Sequence, residues 1–159
     1  MRKLCFICAL LLSNLGLLAT NDSDLNNLVQ VLEEHELYQQ QKQQRIHYLQ
    51  QAPMSQYDRL LALTEEYQSY SYDTATMYVE KLIDEALLSK DNNKIAQAKI
   101  KQAFLYLSSG LFKESSDIFQ SIDIAHSNQD IQAEYYIHYA RLLYDMADYA
   151  GGDMFAMYN

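Results

Sequence analysis

The stretch Ala103-Phe104-Leu105-Tyr106-Leu107-Ser108-Ser109-Gly110-Leu111-Phe112-Lys113-Glu114-Ser115-Ser116-Asp117-Ile118-Phe119 carries apolar residues at helical spacing on both sides of a Ser-Ser-Gly break. A glycine there suits the left-handed residue that closes a helix, so the stretch reads as two helices joined by a tight turn. Ala103 is the small residue of this pattern, and Tyr106 and Phe119 are its large aromatics.

The same pattern extends in both directions. Upstream, Ile95, Ala96 and Ala98 begin the first of these helices after the punctuation Asp91-Asn92-Asn93. An earlier helix from near Asp73 carries Ala75, Tyr78, Val79, Leu82, Ile83, Ala86 and Leu87, and is preceded by the break Ser69-Tyr70-Ser71. Before it, Ser55 is a candidate N-cap for a helix bearing Tyr57, Leu60, Leu61, Thr64 and Tyr67. Downstream, a helix from Phe112 through Ile122 is broken by Ser127-Asn128-Gln129. A fifth helix, roughly Asp130 to Asp148, follows with Ala133, Tyr136, Ile137, Ala140, Leu143, Tyr144 and Ala147. Only four Gly and one Pro occur in 159 residues, too few turn formers for a sandwich or barrel. The expectation is an all-α chain of helical hairpins.

These hairpins resemble the tetratricopeptide repeat. Gly110-Leu111-Phe112-Lys113-Glu114-Ser115 is similar to the family's Gly-x-Tyr-x-Glu-Ala turn signature, with Ser115 in place of Ala. The flanking units match more loosely. Ala75 in Tyr72-Asp73-Thr74-Ala75 lies 40 residues before Ser115, longer than the 34-residue unit, and Ala140 matches Ala103 at a spacing of 37. The resemblance covers Ser55 to the C-terminus and implies a short solenoid of stacked hairpins, with the last repeat incomplete. The order Tyr38-x-x-x-Lys42-x-x-Arg45-Ile46, Tyr67-x-x-Tyr70-x-Tyr72-Asp73-x-Ala75 and Tyr135-Tyr136-x-x-Tyr139-Ala140-Arg141-Leu142 further resembles the exported N-terminal part of tetratricopeptide-repeat membrane regulators of Bacteroidota. In that family a transmembrane helix, a coiled coil and a transcription-regulator-like output region follow the repeats. None of these lies within the 159 residues, so the output function does not come with the resemblance.

The N-terminus divides in two. Arg2 and Lys3 precede the apolar run Leu4 to Leu18, about the length of an export signal's core and short of the ~20 apolar residues a membrane span needs. Residues 1–20 therefore read as a signal peptide, with an uncleaved anchor as the alternative, and place the mature chain in the periplasm or cell envelope. The residue before Cys8 is Ile7, unlike a lipidation signal. Both cysteines, Cys5 and Cys8, lie in this leader, so the remainder has neither disulfides nor thiol chemistry. Residues 21–52 form a polar, Gln-rich helical segment. Leu25, Leu28, Val29 and Leu32 start an apolar stripe that thins through Gln39-Gln40-Gln41-Lys42-Gln43-Gln44 before Ile46 and Leu49 resume it. A coiled-coil arm and one or two solvated helices both fit. Pro53 ends the segment. The repeat domain is read over residues 53–159.

Loss of the leader leaves ten basic against 21 acidic residues, a formal charge of −11. Such a surface repels phosphate backbones, so this segment is not expected to bind nucleic acid directly. Membrane contact is expected only through the leader or through a region beyond this sequence. His35, His47, His126 and His138 show no chelating spacing, and neither a calcium loop, a phosphate loop nor a nucleophile elbow occurs. The reading is a non-enzyme without cofactor or metal.

What remains is binding of a protein or peptide. In the repeat family the first helices of successive hairpins line a concave groove. Carried onto this chain, those positions are Gln97, Phe104 and Ser108 in the middle unit and Glu134, Arg141, Tyr144 and Asp145 in the last. The earlier unit offers Tyr57, Thr64 and Gln68 in poorer register. For Tyr57, Phe104 and Tyr144 a core role stands beside the groove role. Arg141 is a cation in an acidic and aromatic neighbourhood, able to stack on a tyrosine or pair with a carboxylate, or else to serve as a structural partner for Asp145 one turn later. The function implied is an interaction or sensing module of a membrane-linked regulator, with a secreted or periplasmic scaffold as the second reading. The fifth helix carries Tyr136, Ile137, Ala140, Leu143 and Tyr144 and needs a partner helix to cover that stripe, which the short stretch from Tyr149 to Asn159 is not expected to supply. Self-association through it, and fraying after Gly151, are the corresponding expectations.

Overall fold

The computed structural model describes the backbone of residues 2–149 and the side chains of residues 23–149. Six α-helices follow one another: α1 (Arg2–Gln51), α2 (Gln56–Gln68), α3 (Tyr72–Ser89), α4 (Asn92–Ser108), α5 (Phe112–Gln120) and α6 (Gln129–Tyr149), with a short 3-10 turn at Ile124–His126. No strand occurs among the described residues. The expectations for residues 151–159 lie outside them.

The chain divides into two compact units, Met1–Arg45 and Ile46–Asn159. In the first, every residue from Ser23 to Tyr38 is exposed, and local pairs such as Gln30 with Glu34 (2.9 Å) run along the helix. The second contains the end of α1 and the hairpins. Pro53 stops α1 at Gln51, and Arg59 donates to the carbonyl of Ala52 at 3.0 Å.

Side chains cap the helix starts, Ser55 as expected and three others from within the breaks. The Ser55 hydroxyl accepts from the Asp58 amide, Ser71 from Thr74, and Asp91 from both Asn93 and Lys94. Asn128 Oδ1 accepts from Ile131 at 3.0 Å and opens α6. Helix ends differ in kind. Gly110, at φ +76, receives α4 in a paired closure: its amide donates to Leu107 and the next amide, of Leu111, donates to Tyr106. Lys90 closes α3 at φ 57 without being a glycine.

Successive helices pack in order, α2 on α3, α3 on α4 and α4 on α5, while α6 rests on α4 and α5. One core cluster joins Tyr57 and Leu60 of α2 to Leu82 and Ala86 of α3 and Ala98 of α4. A second joins Ile100, Ala103 and Leu107 of α4 to Phe119 of α5 and to Ile131, Tyr135 and Leu142 of α6. Side chains such as Leu82, Ile100 and Leu142 are wholly buried, each stabilising the fold by about 1.5–3 kcal/mol.

One expectation is corrected here. The helix starting at Phe112 ends at Gln120, because Ser121 turns back to bond the Ile118 carbonyl through both its amide and its hydroxyl. Ile122 is buried beyond the helix end rather than within it. In α6 the buried stripe is Ile131, Tyr135 and Leu142, with Tyr139 partly buried beside them, whereas Tyr136, Ile137, Ala140, Leu143 and Tyr144 are exposed. The helix has two apolar faces, and α4 and α5 cover the one that periodicity did not single out.

Candidate functional site

The helices that open each hairpin, α2, α4 and α6, present one polar-aromatic face. Its centre is Lys101 on α4. The ammonium lies 2.6 Å from Glu65 Oε1 on α2 and 2.7 Å from Glu134 Oε1 on α6, so one side chain ties three successive helices together. Burial works against this charge. The hydrogen bonds and negative charges of Glu134 and Glu65 outweigh it and hold Lys101 above the usual lysine range.

Towards the C-terminal ends of α4 and α6, the Phe104 ring packs on His138 at a centroid distance of 4.7 Å. The Arg141 guanidinium sits over the same ring at 5.5 Å, and its Nε donates to Asp145 Oδ2 at 3.4 Å. Arg141 thus pairs with Asp145 one turn later, and the ring it stacks on is Phe104 rather than a tyrosine. Burial pushes the His138 imidazole below its usual range. The carboxylate of Glu134, 4.0 Å away, opposes this, while the positive charges of Lys101 and Arg141 add to it.

At the other end of the face, Tyr57 Oη donates to Gln97 Oε1 at 2.9 Å and to the Lys94 carbonyl at 3.1 Å, with the Lys94 ammonium over the tyrosine ring at 4.9 Å. Burial, with the nearby charges of Asp58, Asp91, Glu134 and Glu65, raises the Tyr57 phenol well above its usual range. Gln97 is therefore occupied in holding α2 to α4.

Of the residues nominated by repeat position, Phe104, Glu134, Arg141 and Asp145 come together on this face. Ser108 is exposed at the end of α4 and joins Arg141 and Asp145 along an open cleft of about 360 Å³, bordered also by Phe112, Asp148 and Tyr149. Tyr144 lies apart, 72% exposed on the second apolar stripe of α6. In the earlier unit Tyr57 and Thr64 are core residues, with the Thr64 hydroxyl bonded to the Leu60 carbonyl at 2.8 Å. Gln68 is half-buried, its Oε1 without a hydrogen-bond partner.

Sequence reasoning missed the roles of Lys101, Glu65 and His138. A signal existed. Ser55, Asp91 and Asn128 start the three opening helices, and at these offsets Glu65, Lys101 and His138 are equivalent positions. Glu65 and Lys101 carry opposite charges at this shared position, whereas Glu134 lies one turn before it on α6.

Chemically, the face offers carboxylates, cations and an aromatic ring already paired among themselves, which suits reversible recognition. Among the described residues no group of three or more His, Cys, Asp or Glu is placed to hold a metal ion, and no helix is long and apolar enough to cross a membrane. No curated protein and no solved structure matches the chain. Residues 32–158 match the SusR N-terminal TPR domain, a match that takes in the hairpins and the face they build. With most of its length within that match and its helices stacked as repeats, the chain belongs to the SusR N-terminal TPR domain family.

Proposed function

We propose that this chain is the extracytoplasmic sensing part of a membrane-linked transcriptional regulator, and that it binds a protein or peptide along the α2–α4–α6 face. The observation that carries this reading is the arrangement of Phe104, Arg141 and Asp145 beside the open cleft at the end of α4, on helices locked in register by Lys101. An extended segment laid there meets a ring, a guanidinium and carboxylates in one line. The basic start and apolar run of residues 2–18 support export. The acidic surface supports a protein partner rather than nucleic acid.

The test has two arms. A photo-crosslinking residue at Ser108, at the cleft mouth, is expected to trap one discrete partner in cells, while the same residue at exposed Leu88 on α3 traps none. Arg141→Glu is expected to abolish the Ser108 adduct. Identical adducts from both positions would sink the groove reading. A protease added to intact cells with a permeabilised outer envelope is expected to digest the chain, and full protection would sink the extracytoplasmic one.

A further inference from the structure

We propose that the second apolar face of α6 is a self-association surface on which two copies of this chain pair with their α6 helices antiparallel about a two-fold axis at Ala140. The face consists of Ala133, Tyr136, Ile137, Ala140, Leu143, Tyr144 and Ala147, all exposed. Tyr136 is 59%, Ile137 67%, Leu143 52% and Tyr144 72% accessible, although each lies on an ordered helix whose opposite side is core. On a helix of 3.6 residues per turn these positions form one continuous stripe, and none of the seven carries a charge.

The occupant follows from the order of residues along the stripe. A two-fold interface requires that if residue i meets residue j, then j meets i. With the axis at Ala140, Ala140 meets its own copy, Ile137 meets Leu143, Tyr136 meets Tyr144, and Ala133 meets Ala147. Each large side chain falls opposite a large one and each alanine opposite an alanine. Alanines at the centre and both ends let the backbones approach, and the large residues between them fill the space. Four large side chains and three alanines per copy, doubled across the axis, bury on the order of 1,000 Å² in total, the small end of specific interfaces, where weak and transient pairs lie.

Net charge works against this contact. A chain carrying −9 repels its own copy, so salt, by screening, is expected to tighten the pair. That trend separates apolar pairing from association driven by charge, which salt would loosen.

Sedimentation velocity of the full chain over a concentration series is expected to give a monomer–dimer equilibrium that tightens with added salt. Ile137→Glu and Leu143→Glu, both at exposed sites, are expected to weaken it by about 100-fold or more with unchanged helix content. Leu88→Glu, at a residue 79% exposed on α3, is expected to leave it intact. In a chain carrying Cys5→Ser and Cys8→Ser, Ala140→Cys is expected to form a disulfide-linked dimer on mild oxidation much faster than Leu88→Cys, because residues at the axis come within disulfide reach. A monomer at every concentration would overturn the proposal. So would a dimer indifferent to both Glu substitutions, a dimer that loosens with salt, or equal cross-linking at residues 88 and 140.

Discussion

Ser115 Oγ donates a 2.8 Å hydrogen bond to the backbone carbonyl of Ala103, and both residues are completely buried. The contact holds α4 against α5 with side chains no larger than a methyl and a hydroxymethyl between the backbones. Ser115 stands where the repeat family favours Ala. The hydroxyl fits because the neighbouring helix offers a carbonyl with a free lone pair.

Enlarging that contact is expected to be expensive. Ala103→Leu inserts three carbons where there is no room and is expected to cost about 1–3 kcal/mol in urea melts, whereas Gln41→Leu on an exposed stretch of α1 is expected to stay within about 0.5 kcal/mol. Equal stability of the two variants would mean that the hairpin does not close at Ala103.

The two left-handed helix ends are expected to respond in opposite directions. Gly110 at φ +76 has nothing within 4 Å of where a Cβ would sit, so Gly110→Ala carries only the backbone penalty, about 1 kcal/mol. Lys90 already bears that penalty at φ 57, and Lys90→Gly is expected to stabilise by roughly 0.5–1 kcal/mol. Thermal melts of the pair provide the check.

Lys101 ties α2, α4 and α6 through two carboxylates while only 12% exposed. Lys101→Met leaves Glu65 and Glu134 facing each other and is expected to cost about 1–2 kcal/mol near neutrality. Because the folded-state pKa of Lys101 is raised above 10.5, its stabilisation is complete below that pH and is lost as pH rises through the folded value. From neutrality upward, the gap between wild type and variant is therefore expected to narrow only in strongly alkaline solution. Guanidinium melts at several pH values test both the size and the window.

His138 titrates in the opposite sense. Its folded pKa is depressed below 6.5, chiefly by burial against Phe104. The unfolded chain therefore binds the proton more readily, and stability falls as pH drops below 6.5. His138→Gln is expected to flatten this part of the pH–stability curve, and proton NMR of the wild-type ring is expected to give a midpoint under 6.5. A midpoint at or above that value would show the imidazole to be paired rather than desolvated.

Where each helix begins and how the hairpins repeat were legible in the sequence, because the signals are local. Ser55, Ser71 and Asp91 cap amides two or three residues away, and Gly110 answers a backbone demand at its own position. Pro53 acts on the residue before it. These effects need no distant partner, so a single chain displays them. Arg141 with Asp145 was legible for the same reason, being one helical turn apart.

Which faces meet was decided only by the tertiary structure. α6 is apolar on two sides, and periodicity alone cannot say which of them α4 and α5 will cover. The choice falls on Ile131, Tyr135 and Leu142 because Phe119 and Ile122 stand ready there to receive them. Glu65, Lys101 and Glu134 are separated by more than thirty residues along the chain and become one charge ladder only when three helices stack. Tyr57 and Thr64 looked eligible for the groove but are taken up by the core. Local sequence sets the torsions of each helix, whereas burial and ion pairing depend on what the rest of the chain places opposite.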